Sequence, residues 1–290
     1  MASLRDIRRK IKSVKNTQQI TKAMKMVAAA RLRRAQNRIL FARPFAQKME
    51  GLMTELLIRI EGEENHPLFK KRAGSKRALL LVTSDKGLCG AFNTNLIRET
   101  LRYVQKHGSQ NVSLFIAGRK GRDYFRRAGL PVAKEYVNIS NTLGFQHAEI
   151  ITQDLLEAYL GARPSEALVA VDLLYNEFKS VMQQKVVVKP FLPLTAIENV
   201  EARTWPDFIY EPAKEALLEG LLLRFLKAQV FRALLESAAA ELGARMTAME
   251  NATNNAADLI GSLTLNLNRT RQASITKEIL EVVSGAEALK

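Results

Sequence analysis

One stretch of this chain has the residue types and spacing to do chemistry. Ser84-Asp85-Lys86-Gly87-Leu88-Cys89-Gly90-Ala91-Phe92-Asn93 follows an apolar run and precedes a helical pattern. A glycine-rich loop placed there lets backbone N–H groups and a helix N-terminus approach a pyrophosphate. The spacing, however, is Gly87-x-x-Gly90 and not GxGxxG, and the second candidate strand ends at Ala117-Gly118-Arg119 without an acid to hold a ribose. That favours a structural strand-to-helix turn over a nucleotide site, with Cys89 as a small residue of the turn. No GxxxxGK[ST] loop, HExxH, CxxC or Cys/His cluster occurs, and no paired-carboxylate motif stands out. His66, His107 and His147 sit in polar linker or helix contexts, which assigns them surface or structural roles. No catalytic, cofactor-binding or metal-ligating residue is assigned.

Charge gives the sharper signal. The net charge is +15. Residues 1–48 hold 14 Lys/Arg against one acid, Asp6, whereas residues 207–290 hold 9 Lys/Arg against 11 Asp/Glu. A field so concentrated at one end selects acidic partners: nucleic acid, an anionic membrane or an acidic protein surface. Only Phe41 and Phe45 supply aromatics in the first 50 residues, and no helix-turn-helix, zinc finger or RNA-binding motif appears. A solvated basic face and a specific acidic-protein contact remain the two readings of that segment. No apolar run reaches the length of a membrane span, and the start lacks the apolar core of a signal peptide. The single cysteine excludes an internal disulfide and fits a reducing compartment.

The elements that position these residues read as helix, sheet, helix. From Met1 to Arg43 there is neither proline nor glycine. Ile7, Ile11, Val14, Ile20, Met24, Val27, Leu32, Ala35 and Ile39 recur at helical steps, with basic residues on the other faces. Pro44 predicts a kink, but the stripe resumes through Met49, Leu52, Met53, Leu56, Leu57 and Ile60 to an end near Glu61-Gly62, before a polar linker. The middle alternates strands (Ala78–Thr83, Val112–Ala117, Val132–Val137) with helices (Leu88–Gln105, Arg119–Arg127, Gln146–Leu160). It closes on an antiparallel hairpin of Ala167–Phe178 and Val181–Pro190, turning near Lys179-Ser180. This predicts a mostly parallel α/β sheet with helices on both faces. From Ala213 to Lys290 there is no proline, the composition of one helix about 115 Å long. Leu235, Ala238, Leu242, Met249, Ala252, Ala256, Leu259 and Leu263 step through it like a heptad, with Arg245 off the pattern. The expected fold class is a long antiparallel coiled coil of the N- and C-terminal helices with a central, mostly parallel Rossmann-like α/β domain. The expected boundaries are 1–61, 76–195 and 210–288. The N-terminal helix is the shorter, so the tip from Ser262 to Leu289, rich in Ser, Thr and Asn, is expected to project alone.

Four segments carry a family resemblance: SLRDIRRKIKSVKNTQQITKAMKMVAAARLRRAQ (3–36), SDKGLCGAFN (84–93), WPDFIYEP (205–212) and RQASITKEILEVVSGA (271–286). They resemble the gamma subunits of the bacterial-type (F-type) rotary ATP synthases, at both ends and in the middle of the chain. The resemblance implies a non-catalytic rotor shaft on the cytoplasmic face of a bacterial inner membrane. It implies a hexamer of alpha and beta subunits, an epsilon subunit and a membrane c ring as partners, with no cofactor, nucleic acid or membrane span of its own. Proton flow would turn ring and shaft, and the asymmetric shaft would drive the catalytic beta subunits through their nucleotide states.

By motif match, Lys22, Met24 and Lys25 are expected at the beta-lever contact. Arg245 matches a basic position facing a beta catch loop. Gln272, Thr276 and Glu278 match positions that couple to the hexamer and to the region of Met24. Arg38, Arg43, Tyr210 and Glu211 are expected on the c-ring side. For each, coiled-coil packing or a solvated charge is the plain alternative. Lys25 stands where relatives commonly carry an acid, and the cysteine pair inserted in chloroplast relatives is missing. A basic coiled coil binding nucleic acid and a nucleotide-binding α/β enzyme are the competing classes. Salt-sensitive DNA binding without ATPase partners would mark the first, and saturable nucleotide binding by the chain alone would mark the second.

Overall fold

The computed structural model describes residues 4–60, 67–70, 72–140, 142–161, 167–194 and 214–287. The chain divides into two compact units, Met1–Ala29 with Arg245–Lys290, and Ala30–Ala244. Two long helices contribute to both: α1 (Leu4–Ile60) and α5 (Lys214–Glu287).

Within the larger unit, β1 (Arg77–Val82), β2 (Val112–Ala117), β3 (Val132–Tyr136), β4 (Ala170–Phe178) and β5 (Gln184–Leu192) form one sheet in the order β3-β2-β1-β4-β5. The first four strands pair in parallel, and β5 returns antiparallel to β4. β1 is central, with Leu80 opposite Phe115 on one side and Leu173 on the other. Its unbroken apolar run reflects burial on both faces. Alternation then divides it. Ala78, Leu80 and Val82 join the core under α4 (Phe145–Leu160), with Met53 of α1 and Leu222, Leu226 and Val230 of α5. Leu79 and Leu81 join the core under α2 (Phe92–His107) and α3 (Arg119–Arg127), with Leu96, Val104 and Phe125.

The expected strands, helices and hairpin are all present, and the hairpin turn covers Lys179 to Gln183. α2 begins at Phe92 and not at Leu88. Leu88 (φ 63°) and Gly90 (φ 57°) lie in the left-handed region, which a right-handed helix cannot include. α1 continues through Pro44, with Ile39 buried before it and Met53 buried after it. A proline there removes one backbone donor, and packing on either side holds the helix. The expected linker at 61–66, the exit segment 205–212 and the chain end after residue 287 lie outside the described residues.

The smaller unit pairs the start of α1 with the end of α5 antiparallel. Thr21 meets Thr253 (Oγ1–Oγ1 2.8 Å), and four residues on, Lys25 Nζ meets Glu250 Oε1 (2.5 Å). On α1 Leu4, Ile7, Ile11, Val14, Gln18, Thr21, Lys25 and Ala28 are buried or half-buried in a regular alternation of three- and four-residue steps, and Asp6, Met24 and Ala29 are half-buried beside them. On α5 Met249, Thr253, Ala256, Ile260, Leu263, Leu267, Thr270 and Ser274 follow the same steps, and residues 245–248, Glu250 and Ala252 are also half-buried. The sequence stripe therefore misplaced part of the seam. Ile20 is 60% exposed, Val27 54% and Leu259 47%, while Gln18, Thr21, Ala28 and Ile260 take the inner positions.

Candidate partner-binding surfaces

The strand-end loop at 84–91 is built as a lock. Asn93, in the first turn of α2, accepts the Ser84 backbone N–H on Oδ1 (3.0 Å) and donates from Nδ2 to Cys89 Sγ (3.2 Å). Ser84 Oγ donates to the Lys86 carbonyl (2.6 Å). The Asp85 carboxylate turns toward the N-terminus of α3 and the loop after β3. It accepts N–H groups from Arg119 (3.1 Å) and Asn138 (2.9 Å), and the Ser140 hydroxyl (2.8 Å). Burial by itself would raise the Asp85 pKa, but these donors, the Asn138 N–H foremost, outweigh it and hold the carboxyl below its ordinary value.

Two glycines let α3 sit this close. A Cβ on Gly118 (φ 101°) would fall 2.2 Å from the Thr83 carbonyl oxygen, and one on Gly121 would fall 2.8 Å from Thr83 Oγ1. The anion niche that a helix N-terminus offers is thus filled by the chain's own carboxylate. Cys89 is buried at 2% exposure, whereas Leu88 is 63% exposed beside it. Among the described residues, no group of three or more metal-ligating side chains occurs.

The remaining sites lie on helices. Lys22 is exposed, and Met24 and Lys25 are half-buried, within one turn of α1. Lys25 is tied to Glu250 by a pair exposed on both sides, which contributes at most about 1 kcal/mol. Arg245 is half-buried and engaged within the chain. Gln272, Thr276 and Glu278 are exposed, and the Thr276 hydroxyl donates to the Gln272 carbonyl (3.0 Å), so that side chain is folded back on its own helix.

The structure does not bring these three to Met24. Glu250 pairs with Lys25, and Gln272 lies about 33 Å farther along α5 at the rise of a regular helix. They form a second station. Arg38 is exposed on α1 in the larger unit and reaches the Leu143 carbonyl (3.5 Å). Arg43 falls in α1. Tyr210 and Glu211 lie outside the described residues.

Sequence reading missed an apolar set. The register places the start of α1 opposite about residue 270 of α5. Past that point α5 has no partner helix within its unit, and Ile275, Ile279, Leu280, Val282 and Val283 are all exposed. Ile20, Met26 and Val27 are exposed on α1 of the same unit. Contiguous exposed apolar side chains mark a surface that another protein covers. The signal was available: helical apolar steps that continue beyond the end of the helix meant to bury them.

Comparison with known proteins agrees in length and order. A family model described as ATP synthase matches residues 3–289. A protein of Geotalea uraniireducens called ATP synthase gamma chain is 46% identical over 292 residues, covering all of both chains. One of an Anaeromyxobacter strain with the same name is 50% identical over 294 residues, again covering all of both. Among solved structures, a chain from the central stalk and c ring of the Tetrahymena thermophila mitochondrial ATP synthase is 31% identical. The match has a TM-score of 0.58 over 80% of this chain and 99% of that one. A chain of the Euglena gracilis mitochondrial ATP synthase shares the fold at 18% identity, with a TM-score of 0.69 over 99% of this chain and 94% of that one.

Proposed function

This chain belongs to the ATP synthase gamma-chain family, and we propose that it works as that machine's central shaft through the two stations on its paired helices. As a gamma chain it is a non-catalytic subunit that couples rotation of a membrane ring to ATP synthesis and hydrolysis in an alpha/beta hexamer. The observation that carries the mechanism is the bare apolar end of α5. Five large apolar side chains beyond the helix pair need a protein environment, and the bore of a hexamer supplies one. That end acts as the upper bearing, with Gln272, Thr276 and Glu278 contacting the hexamer there.

The second station is the turn carrying Lys22, Met24 and Lys25, with Arg245 on α5. It faces the acidic lever and catch loops of the beta subunits. Rotation biases the beta subunits only through contacts that differ between orientations. A basic turn on one side of an asymmetric helix pair provides such a difference. Charge attraction between exposed groups is weak and long-ranged, so it guides without locking the shaft. Part of the first helix's positive charge is already answered by Glu250, which leaves Lys22 as the outward charge of that turn.

The α/β unit with Arg38, Arg43, Tyr210 and Glu211 lies on the c-ring side and carries the epsilon subunit. Among the described residues no helix is long and apolar enough to cross a membrane. Its place is peripheral, at the cytoplasmic face, held there through its partner subunits. The Asp85 lock keeps the strand-end loop rigid, which suits a part that must transmit torque. The test is reconstitution with alpha and beta subunits. Adding the chain should raise ATP hydrolysis of the mixture, while the chain alone hydrolyses none. Hydrolysis by alpha and beta that is indifferent to the chain would overturn the proposal.

A further inference from the structure

In a doubly wound sheet, the crevice at the strand C-termini where the strand order reverses is the place such folds hold a ligand. Here the reversal falls between β1 and β4, with β2 and β3 on one side and β5 on the other. The larger unit fills that crevice with its own helix. β1 ends at Val82, whereas β4 runs on to Phe178, past its last pairing with β1 at Leu174. The overhang carries backbone groups that need partners. Glu236 of α5, 4% exposed, accepts the Phe178 N–H on Oε2 (3.1 Å). Its buried neighbour Ser237 donates from Oγ to the Val82 carbonyl (3.4 Å). Two turns on, a Cβ on Gly243 would stand 3.3 Å from the Phe178 ring and 3.5 Å from the Val181 carbonyl oxygen. Glycine weakens a helix interior, and at this position it admits the β4–β5 hairpin against the helix.

These contacts differ in kind from the rest of the seat of α5. Leu222, Leu226, Val230 and Ala233 bury apolar surface, which resists separation but has no preferred direction. A hydrogen bond to a fixed backbone group at a strand end is directional, and an ionised acceptor makes it about twice as strong as a neutral one. A buried carboxylate also keeps its donor, because leaving it unpaired is costly. We infer that Glu236 is the torque latch of this chain: it seats α5 in the strand-end crevice, so that the α/β sheet and the shaft helix turn without slip. The inference rests on the shaft role and deepens it, naming the residue through which load crosses from sheet to helix. Glu236 acts through Phe178 and within this chain, as a positioning residue.

The test compares Glu236→Leu, which removes the acceptor at similar volume, with Glu236→Gln, which keeps an oxygen for the Phe178 N–H. Each chain is assembled with its partner subunits and the membrane ring in vesicles. Exchange of the Phe178 amide should quicken about ten- to a hundredfold in Glu236→Leu and stay near its unaltered rate in Glu236→Gln. In Glu236→Leu, ATP hydrolysis without an opposing proton gradient should hold, while protons pumped per ATP fall as the gradient rises. Glu236→Gln should restore that ratio. A role in stability alone would lower hydrolysis and pumping together with the amount assembled, and would overturn the inference. So would full pumping by Glu236→Leu, or an unchanged Phe178 amide. Where the leucine chain does not assemble, Gly243→Ala decides. It favours helix and crowds the Phe178 ring, so assembly should hold and the pumping ratio fall, and full pumping overturns the inference. An unaltered complex that hydrolyses ATP without pumping would refute the shaft role itself, and the latch with it.

Discussion

The antiparallel register of the helix pair can be tested with one engineered bond. In the chain carrying Thr21→Cys and Thr253→Cys, the two sulfurs replace hydroxyl oxygens that stand 2.8 Å apart. Oxygens at that separation place the two Cβ atoms within roughly the 3.5–4.5 Å that a disulfide spans, so the bond forms without backbone movement. The single native thiol, Cys89, is buried and does not compete. Closing a loop of some 230 residues is worth about 5 kcal/mol on the chain-entropy model.

A control pair, Ile20→Cys with Ala252→Cys, moves each cysteine back by one residue. That turns the Ile20 position outward, where Ile20 is 60% exposed. Mild oxidation of the assembled complex, read on a non-reducing gel, should close the first pair within minutes and the second slowly or not at all. Because both helices belong to the same rotor, the closed bond should leave ATP hydrolysis near its unaltered rate. Faster closure of the control pair would refute the seam. Loss of hydrolysis on closing the first pair, restored by reductant, would refute the idea that the two helices turn as one body.

Other consequences follow from particular contacts. Asp85→Ala strips the acceptor from three backbone N–H groups and a hydroxyl, at a cost of about 2–4 kcal/mol, visible as earlier urea unfolding of the α/β unit. The same carboxyl gives a pH signature. Its pKa is held below 3.8 in the folded chain, so its contribution is full above that value and is lost as pH falls through the lowered one. Hydrogen exchange at the Arg119 and Asn138 amides should therefore quicken in acid below that value and not between neutrality and it. Met24→Lys adds a cation beside Lys22 and Lys25 and should impair coupling more than assembly, and unchanged proton pumping per ATP in reconstituted vesicles would refute that. Ile279→Asn with Val283→Asn alters only exposed side chains, so helix content should hold while retention of the chain by the hexamer falls. Gly118→Ala meets the Thr83 carbonyl at 2.2 Å and should destabilise the α/β unit by more than about 3 kcal/mol in urea unfolding.

Much of the fold was legible because burial leaves a strong trace. ALLLVT reads as a short buried strand, and β1 is the central strand of the sheet. The long helices were legible from composition and missing prolines. The seam was harder to read, since Gln18, Thr21 and Lys25 occupy inner positions that pattern reading reserves for apolar residues. Ile20 and Val27 drew the stripe because they are large and β-branched, yet both are exposed in this chain. At the end of α5 the expected lone tip was noted for its Ser, Thr and Asn, and its exposed Ile279 and Val283 went unremarked. Leu88 defeated the start of α2, as nothing in a leucine announces a positive φ. The site residues of the two stations came from resemblance alone. The structure then separated Gln272 from Met24 by geometry that no spacing in the sequence states.

The most direct test of the shaft role is to watch the chain turn. The hexamer is fixed to a surface, a probe is attached through a cysteine placed in the α/β unit, and ATP is supplied. The probe should rotate in one direction, in steps of a third of a turn set by the three beta subunits, and stop when ATP is withdrawn. Continued ATP hydrolysis with a stationary or randomly reorienting probe would contradict a rotating shaft.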